Sequence, residues 1–182
     1  MNVSVFRLLV LGGMALAIAV QAPRVRAREQ DRGRIVEVGG LRSQAPADWV
    51  EEPPDDPQCV KAYRLDPASD DEYYANVTIY ALGKQEAGTA AGFVGSWKRR
   101  FLPPERKTMA QASKVETFKV GGALVTYLDV RGDYKGVPGE PTSRRENFRL
   151  LGAYLATPRG TYQICMFGPA GTVAVYREQF EH

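Results

Sequence analysis

The clearest pattern in the chain runs from residue 114 to residue 134. Gly121-Gly122 is a two-residue turn able to take positive φ, flanked on both sides by strand-forming residues, and it predicts a hairpin. The turn pairs Val120 with Ala123 and Phe118 with Val125. Phe118, Val120, Val125 and Tyr127 then share one face, and Val115, Leu124, Leu128 and Val130 share the other. Both faces carry apolar residues, so the sheet is expected to be covered on both sides.

Other segments repeat the two-residue period. Residues 41–45 predict a short strand stopped by Pro46. Residues 59–65 predict another, with Cys59, Tyr63 and Leu65 on one face. Residues 73–82 form a longer one. Residues 146–157 place Phe148, Leu150 and Tyr154 opposite Leu151, Ala153 and Leu155, and residues 161–167 follow after the Pro158-Arg159-Gly160 turn. Three prolines make 52–57 a loop, and two glycines with two prolines make 135–143 another.

The period changes at residues 90–101. Phe93, Trp97 and Phe101 recur every four residues beside Val94, which is one apolar helical stripe. Thr89 can cap it, and Pro103-Pro104 ends it. Residues 172–182 predict a terminal helix with Val173, Tyr176 and Phe180 inward. Strands joined by short connections imply antiparallel neighbours. The fold class is therefore α+β, a mostly antiparallel twisted sheet with helices packed on it.

The N-terminus has a different character. Arg7 precedes an uncharged, mostly apolar run over residues 8–20, shorter than the ~20 residues a bilayer-spanning helix needs. Residues 1–22 therefore read as a secretory signal peptide. Cleavage after Ala22 takes the formal charge from +3 to +2, and cleavage after Ala27 takes it to 0, so the basic balance of the full chain says little about the mature protein. Residues 23–38 are charge-rich with few large apolar groups and read as a flexible linker. Residues 39–182 are one domain's worth of chain. With 44% hydrophobic and 25% charged residues it has ordinary globular composition. The expected location is outside the cytoplasm, periplasmic or secreted.

Candidate chemistry is sparse. The only histidine is His182, which leaves no Ser–His–Asp triad and no zinc site to assemble. No phosphate loop appears, because a strand follows Gly121-Gly122 where a helix would be needed. Asp55/Asp56 and Asp70/Asp71 lie in predicted loops as hydrated turn residues. Asn76-Val77-Thr78 matches a glycosylation sequon but falls inside a predicted strand. Cys59 and Cys165 are the only cysteines. In an oxidising compartment they are a candidate disulfide, and equally two buried small hydrophobes. Two basic groups stand near aromatics: Lys98, Arg99 and Arg100 after Trp97, and Arg144, Arg145 and Arg149. Trp97, Arg100, Arg144 and Arg145 are the candidate ligand or partner contacts. A solvated helix face and a charged strand edge explain the basic groups without nucleic acid.

The residues Gly40-Leu41-Arg42-Ser43-Gln44-Ala45-Pro46 with Trp49, Tyr63-Arg64-Leu65, the Trp97/Phe101 helix, the Gly121-Gly122 hairpin, Gly152-Ala153 leading to Thr157-Pro158-Arg159-Gly160, and Gly168-Pro169 together resemble the PsbP-like (Mog-type) α/β/α sandwich. They resemble more closely a group of uncharacterised exported bacterial proteins that share it. The likeness spans 39–182 and departs at the end, where the terminal helix of that group runs about a turn longer. It implies a fold and no chemistry. Metal and partner contacts of the photosynthetic relatives have no matching positions here. The expectation is an exported, non-enzymatic binding or accessory domain with no cofactor, docking a cell-envelope protein through loops 52–57 and 135–143. The alternative is a small-ligand or lipid carrier with its pocket between the Trp97 helix and the sheet. Contact with a membrane is expected only through the export signal.

Overall fold

The computed structural model describes residues 33–68, 71–83, 88–136 and 144–182. The expected signal peptide over 1–22, most of the linker, Asp70 and most of loop 135–143 lie outside them. Ten strands and two helices follow in order: β1 (Arg34–Val38), β2 (Leu41–Ala45), β3 (Val50–Glu52), β4 (Cys59–Leu65), β5 (Ala75–Leu82), α1 (Ala90–Arg99), β6 (Phe101–Leu102), β7 (Ser113–Val120), β8 (Ala123–Tyr134), β9 (Arg145–Thr157), β10 (Gly160–Pro169) and α2 (Ala170–Glu181). The class is α+β. Eight strands form one sheet in the order β3-β4-β5-β10-β9-β8-β6, with β7 also on β8, and every pairing is antiparallel. Two meanders, β3–β5 and β7–β10, are thus joined through α1 and zipped together where β10 meets β5.

The β7–β8 hairpin has the register that its turn dictates, with Val120 opposite Ala123 and Phe118 opposite Val125. Gly121 and Gly122 both have positive φ (52° and 84°), the backbone of a two-residue hairpin turn. The same device sits at Gly39 and Gly40, with φ of 60° and 85°. It closes β1 onto β2, with Val38 opposite Leu41. The linker reading of 23–38 is therefore corrected over Arg34–Val38. Val36 and Val38 are buried while Ile35 and Glu37 face outward, so this segment has a half-buried strand's alternation despite its charges.

Both sheet faces are covered at the centre. On one face Phe93 of α1 joins Phe101, Leu128, Val130, Phe148, Leu150, Tyr154 and Cys165. On the other, Val173, Tyr176 and Phe180 of α2 and the β1–β2 hairpin pack on Tyr63, Leu65, Val77, Ile79, Leu151 and Met166. α1 starts at the Thr89 cap, whose side chain accepts from the Gly92 N–H, and stops at Arg100. Phe101 leaves the helix for β6 but still joins the same core. Phe93 is seated against Gly152, where a Cβ would lie 2.8 Å from its Cζ. The start of α2 is capped from a distant loop. Asp71 Oδ2 accepts from the Thr172 N–H (2.7 Å) and hydroxyl (2.6 Å), a carboxylate at the positive end of the helix. Thr172 Oγ1 accepts in turn from the Ala68 N–H at 3.0 Å.

The candidate disulfide is not formed, because Cys59 and Cys165 are both free and buried. Cys59 is on β4 and Cys165 on β10, and β5 runs between these strands. Two strand spacings alone separate their Cα atoms by roughly 9–10 Å, and a two-residue offset along β5 adds to it, beyond the ~7 Å limit of a bridge. A register shift between Cys59 and Lys61 also turns Cys59 away from the face of Tyr63 and Leu65. Burial pushes the Cys165 thiol up to about 12, against smaller opposing effects of Arg100 and a Trp97 hydrogen bond.

Two outcomes are expected. Thiol titration of the unfolded, never-reduced protein should count both cysteines as free, and the folded protein should react at neither; thiols appearing only after reduction would contradict this strand order. Gly152→Ala should cost about 1–3 kcal/mol by forcing the Phe93 ring out of its seat. An unchanged urea midpoint would show that α1 does not pack as described.

Candidate functional site

Of the four contact residues singled out by sequence, Trp97, Arg100 and Arg145 lie on the α1 side of the sheet. Arg100 stacks its guanidinium 4.4 Å from the Trp97 ring centroid. Trp97 packs on Phe167 at 5.9 Å, and Phe167 packs on Phe148 at 5.3 Å. Arg145 lies over Tyr73 (5.0 Å) and Phe148 (5.7 Å) at the start of β9. Arg144 forms an ion pair with Asp133, which holds that carboxyl below its ordinary range and raises the arginine. Trp97, Arg100 and Arg145 therefore edge one aromatic layer, and Arg144 stands apart in its ion pair. Phe93 and Trp97 fill the space between α1 and the sheet, where the carrier reading placed its pocket.

An apolar cavity of about 240 Å³ lies on the opposite face. Its walls come from three separate parts of the chain: Val36 and Leu41 of the β1–β2 hairpin, Ile79 and Ile164 of the sheet, and Phe180 of α2, with Trp49 at the side. The two hairpin tips meet above it, since a Cβ on Gly121 would lie 2.7 Å from Leu41 Cδ2. Gly39 sits close to Tyr162 and Thr157 of the sheet, which seats the β1–β2 turn. The end of α2 is tethered on both sides of the cavity. Trp49 Nε1 donates to Gln179 Oε1 at 2.9 Å, and the Tyr127 hydroxyl donates to Glu181 Oε1 at 2.7 Å. Burial and the Glu181 carboxylate both push the Tyr127 phenol well up, so it stays a donor.

A second cavity adjoins this one along the sheet. Ile164 and Phe180 also line this second cavity, of about 410 Å³ between α2 and the β7–β8 hairpin, together with Phe118, Tyr127, Ala153 and two ion pairs, Lys114–Glu116 and Arg177–Glu181. Lys114 lines this one and a third, of about 290 Å³, shared with Asp129, Arg131 and Arg149. Val120, Phe118, Glu116 and Lys114, alternate residues of β7, border the successive compartments. The three adjoining cavities therefore form a row along β7, a groove of about 20 Å at about 3.4 Å per residue. Asp129 accepts from Arg149 Nε (2.9 Å) and Nη2 (2.6 Å), which raises Arg149 further. Sequence reading singled out Arg149 but not the groove, because its lining comes from four elements far apart in the chain.

The carboxylates have local roles where described. Asp56 Oδ1 accepts from the Gln58 N–H within its turn, and Asp71 caps α2. No three His, Cys, Asp or Glu side chains are grouped to hold a metal ion among the described residues. No helix among them is long and apolar enough to cross a membrane.

No protein-family model matches the chain, and no curated protein matches it in sequence. A solved structure, PA94 of Pseudomonas aeruginosa, a protein of unknown function, aligns over 82% of this chain and 92% of its own at 10% identity, with a TM-score of 0.46. A likeness at that level carries no argument about activity.

Proposed function

We propose that this protein is an exported binding domain, not an enzyme, that holds a small apolar ligand beneath the β1–β2 hairpin. The observation that carries this reading is the apolar cavity itself. At about 240 Å³ it is larger than the ~150 Å³ cavity that accommodates benzene and approaches the ~300 Å³ at which ordinary ligand pockets begin. Its lining is mostly aliphatic and aromatic, and Trp49 and Gln179 are already hydrogen-bonded to each other within the fold. Removing an apolar group from water into such a space is favourable by about 25 cal/mol per Å² of surface buried. The carrier reading is thus kept, with its site moved from the α1 side to the α2 side. Export rests on the N-terminal pattern of Arg7 and residues 8–20. Kinship with the PsbP-like sandwich belongs to the same proposal and is supported by helices on both faces of the sheet.

Decanol titrated calorimetrically into the protein should bind. Val120→Trp should weaken that binding at least about tenfold, because Val120 borders the cavity from an exposed position where a larger side chain fills space without disturbing the core. Unaltered decanol binding by a folded Val120→Trp variant would place the ligand elsewhere, and no binding by the parent protein would end the proposal.

A further inference from the structure

The groove changes chemistry along its length. Its hairpin end is apolar, whereas the far end is lined by Lys107, Lys114, Arg131 and Arg149 against one carboxylate, Asp129. Asp129 is already engaged by two hydrogen bonds from Arg149. Arg131 lies directly opposite Arg149 across the β8–β9 pair. Like charges in that position destabilise a sheet unless something offsets them.

Arg131 is held in place without being neutralised. Its Nε and Nη2 donate to Asn147 Oδ1 at 3.1 and 2.8 Å, and that acceptor is an uncharged amide. Asn147 is fixed in turn. Its backbone is left-handed (φ 53°), a conformation asparagine tolerates better than most residues, and its N–H donates to Asp133 Oδ1 at 3.0 Å. Lys107 makes no ion pair among the described residues, and Lys114 pairs only with exposed Glu116 at 2.8 Å. Uncompensated positive charge therefore collects at one end of a groove whose other end is apolar.

We infer that the groove binds a single-chain anionic amphiphile. This inference rests on the apolar-ligand reading above and adds the polar half of the molecule. The chain lies past Phe118 and Phe180 into the cavity at Val36 and Leu41. The head, a phosphate monoester or a carboxylate, sits among Lys107, Lys114 and Arg131. The run of about 20 Å from Val120 to Lys114 gives room for both parts. Charge complementarity selects the anion, since a cationic head would meet like charges at Lys107 and Arg131.

The test compares decyl phosphate, decanol and inorganic phosphate by calorimetric titration below micelle-forming concentrations. It uses the full chain and a Lys107→Gln/Arg131→Gln variant. Both substituted side chains are exposed. Decyl phosphate should bind about tenfold or more tighter than decanol. That advantage should shrink in high salt, which screens exposed charges, and should largely disappear in the variant, while decanol binding stays unchanged. Equal affinity for decanol and decyl phosphate would overturn the anionic head and leave the apolar-ligand reading standing, as would a variant that keeps the full advantage. Inorganic phosphate binding as tightly as decyl phosphate would mean an isolated anion site and overturn the amphiphile. Failure of decanol and decyl phosphate alike would remove the apolar-ligand reading as well.

Discussion

A sheet that is apolar on both faces must be covered on both faces, and the cover available here is unequal. On one side α1 fits closely: Phe93 rests on Gly152, and Trp97, Phe167 and Phe148 extend the packing as one aromatic layer. On the other side α2 has twelve residues and is about 18 Å long. The sheet is seven strands across at its widest, about 29 Å at the usual strand spacing. One short helix cannot shield that width. The β1–β2 hairpin covers part of the remainder, and the groove is left where these two covers do not fill the space over the sheet.

The position of α2 is fixed at both ends, which keeps this gap open. Asp71 and Thr172 pin its start to the loop before β5, and Gln179 and Glu181 tie its end to Trp49 and Tyr127. A helix free to slide toward β8 would close the second compartment. The walls opposite are hairpins, each closed by a glycine pair and meeting at Leu41 and Gly121. The outer strand β7 leaves Val115, Phe118 and Val120 exposed, and Lys114, Glu116 and Lys119 interleave with them. Charges on such an edge oppose pairing with another chain.

Much of this fold was legible because local signals agreed with global packing. The Gly121-Gly122 turn set the β7–β8 register, and four-residue spacing marked α1. The Val173, Tyr176 and Phe180 stripe oriented α2 correctly. The same glycine-pair signal stood at 39–40 and went unused, because Arg34 and Glu37 made the preceding segment look too polar to pack. The alternation of Val36 and Val38 was nevertheless present. The position of Cys59 was not legible: one extra residue at a bulge reverses which face it serves, and nothing in 59–65 announces it. The groove was hidden for a different reason. Val36, Leu41, Val120 and Phe180 meet only through topology, whereas Trp97 and Arg100 attracted notice as chain neighbours and prove to be a local stack.

The central claim is that an apolar ligand binds on the α2 face. Methyl chemical shifts recorded while decanol is added test it most directly, because valine and leucine methyls report on both faces at once. The account predicts shifts at Val36, Leu41 and Val120, with Leu128, Val130 and Leu150 on the α1 face unmoved. Shifts centred on Leu128 and Leu150, or spread evenly over both faces, would contradict it.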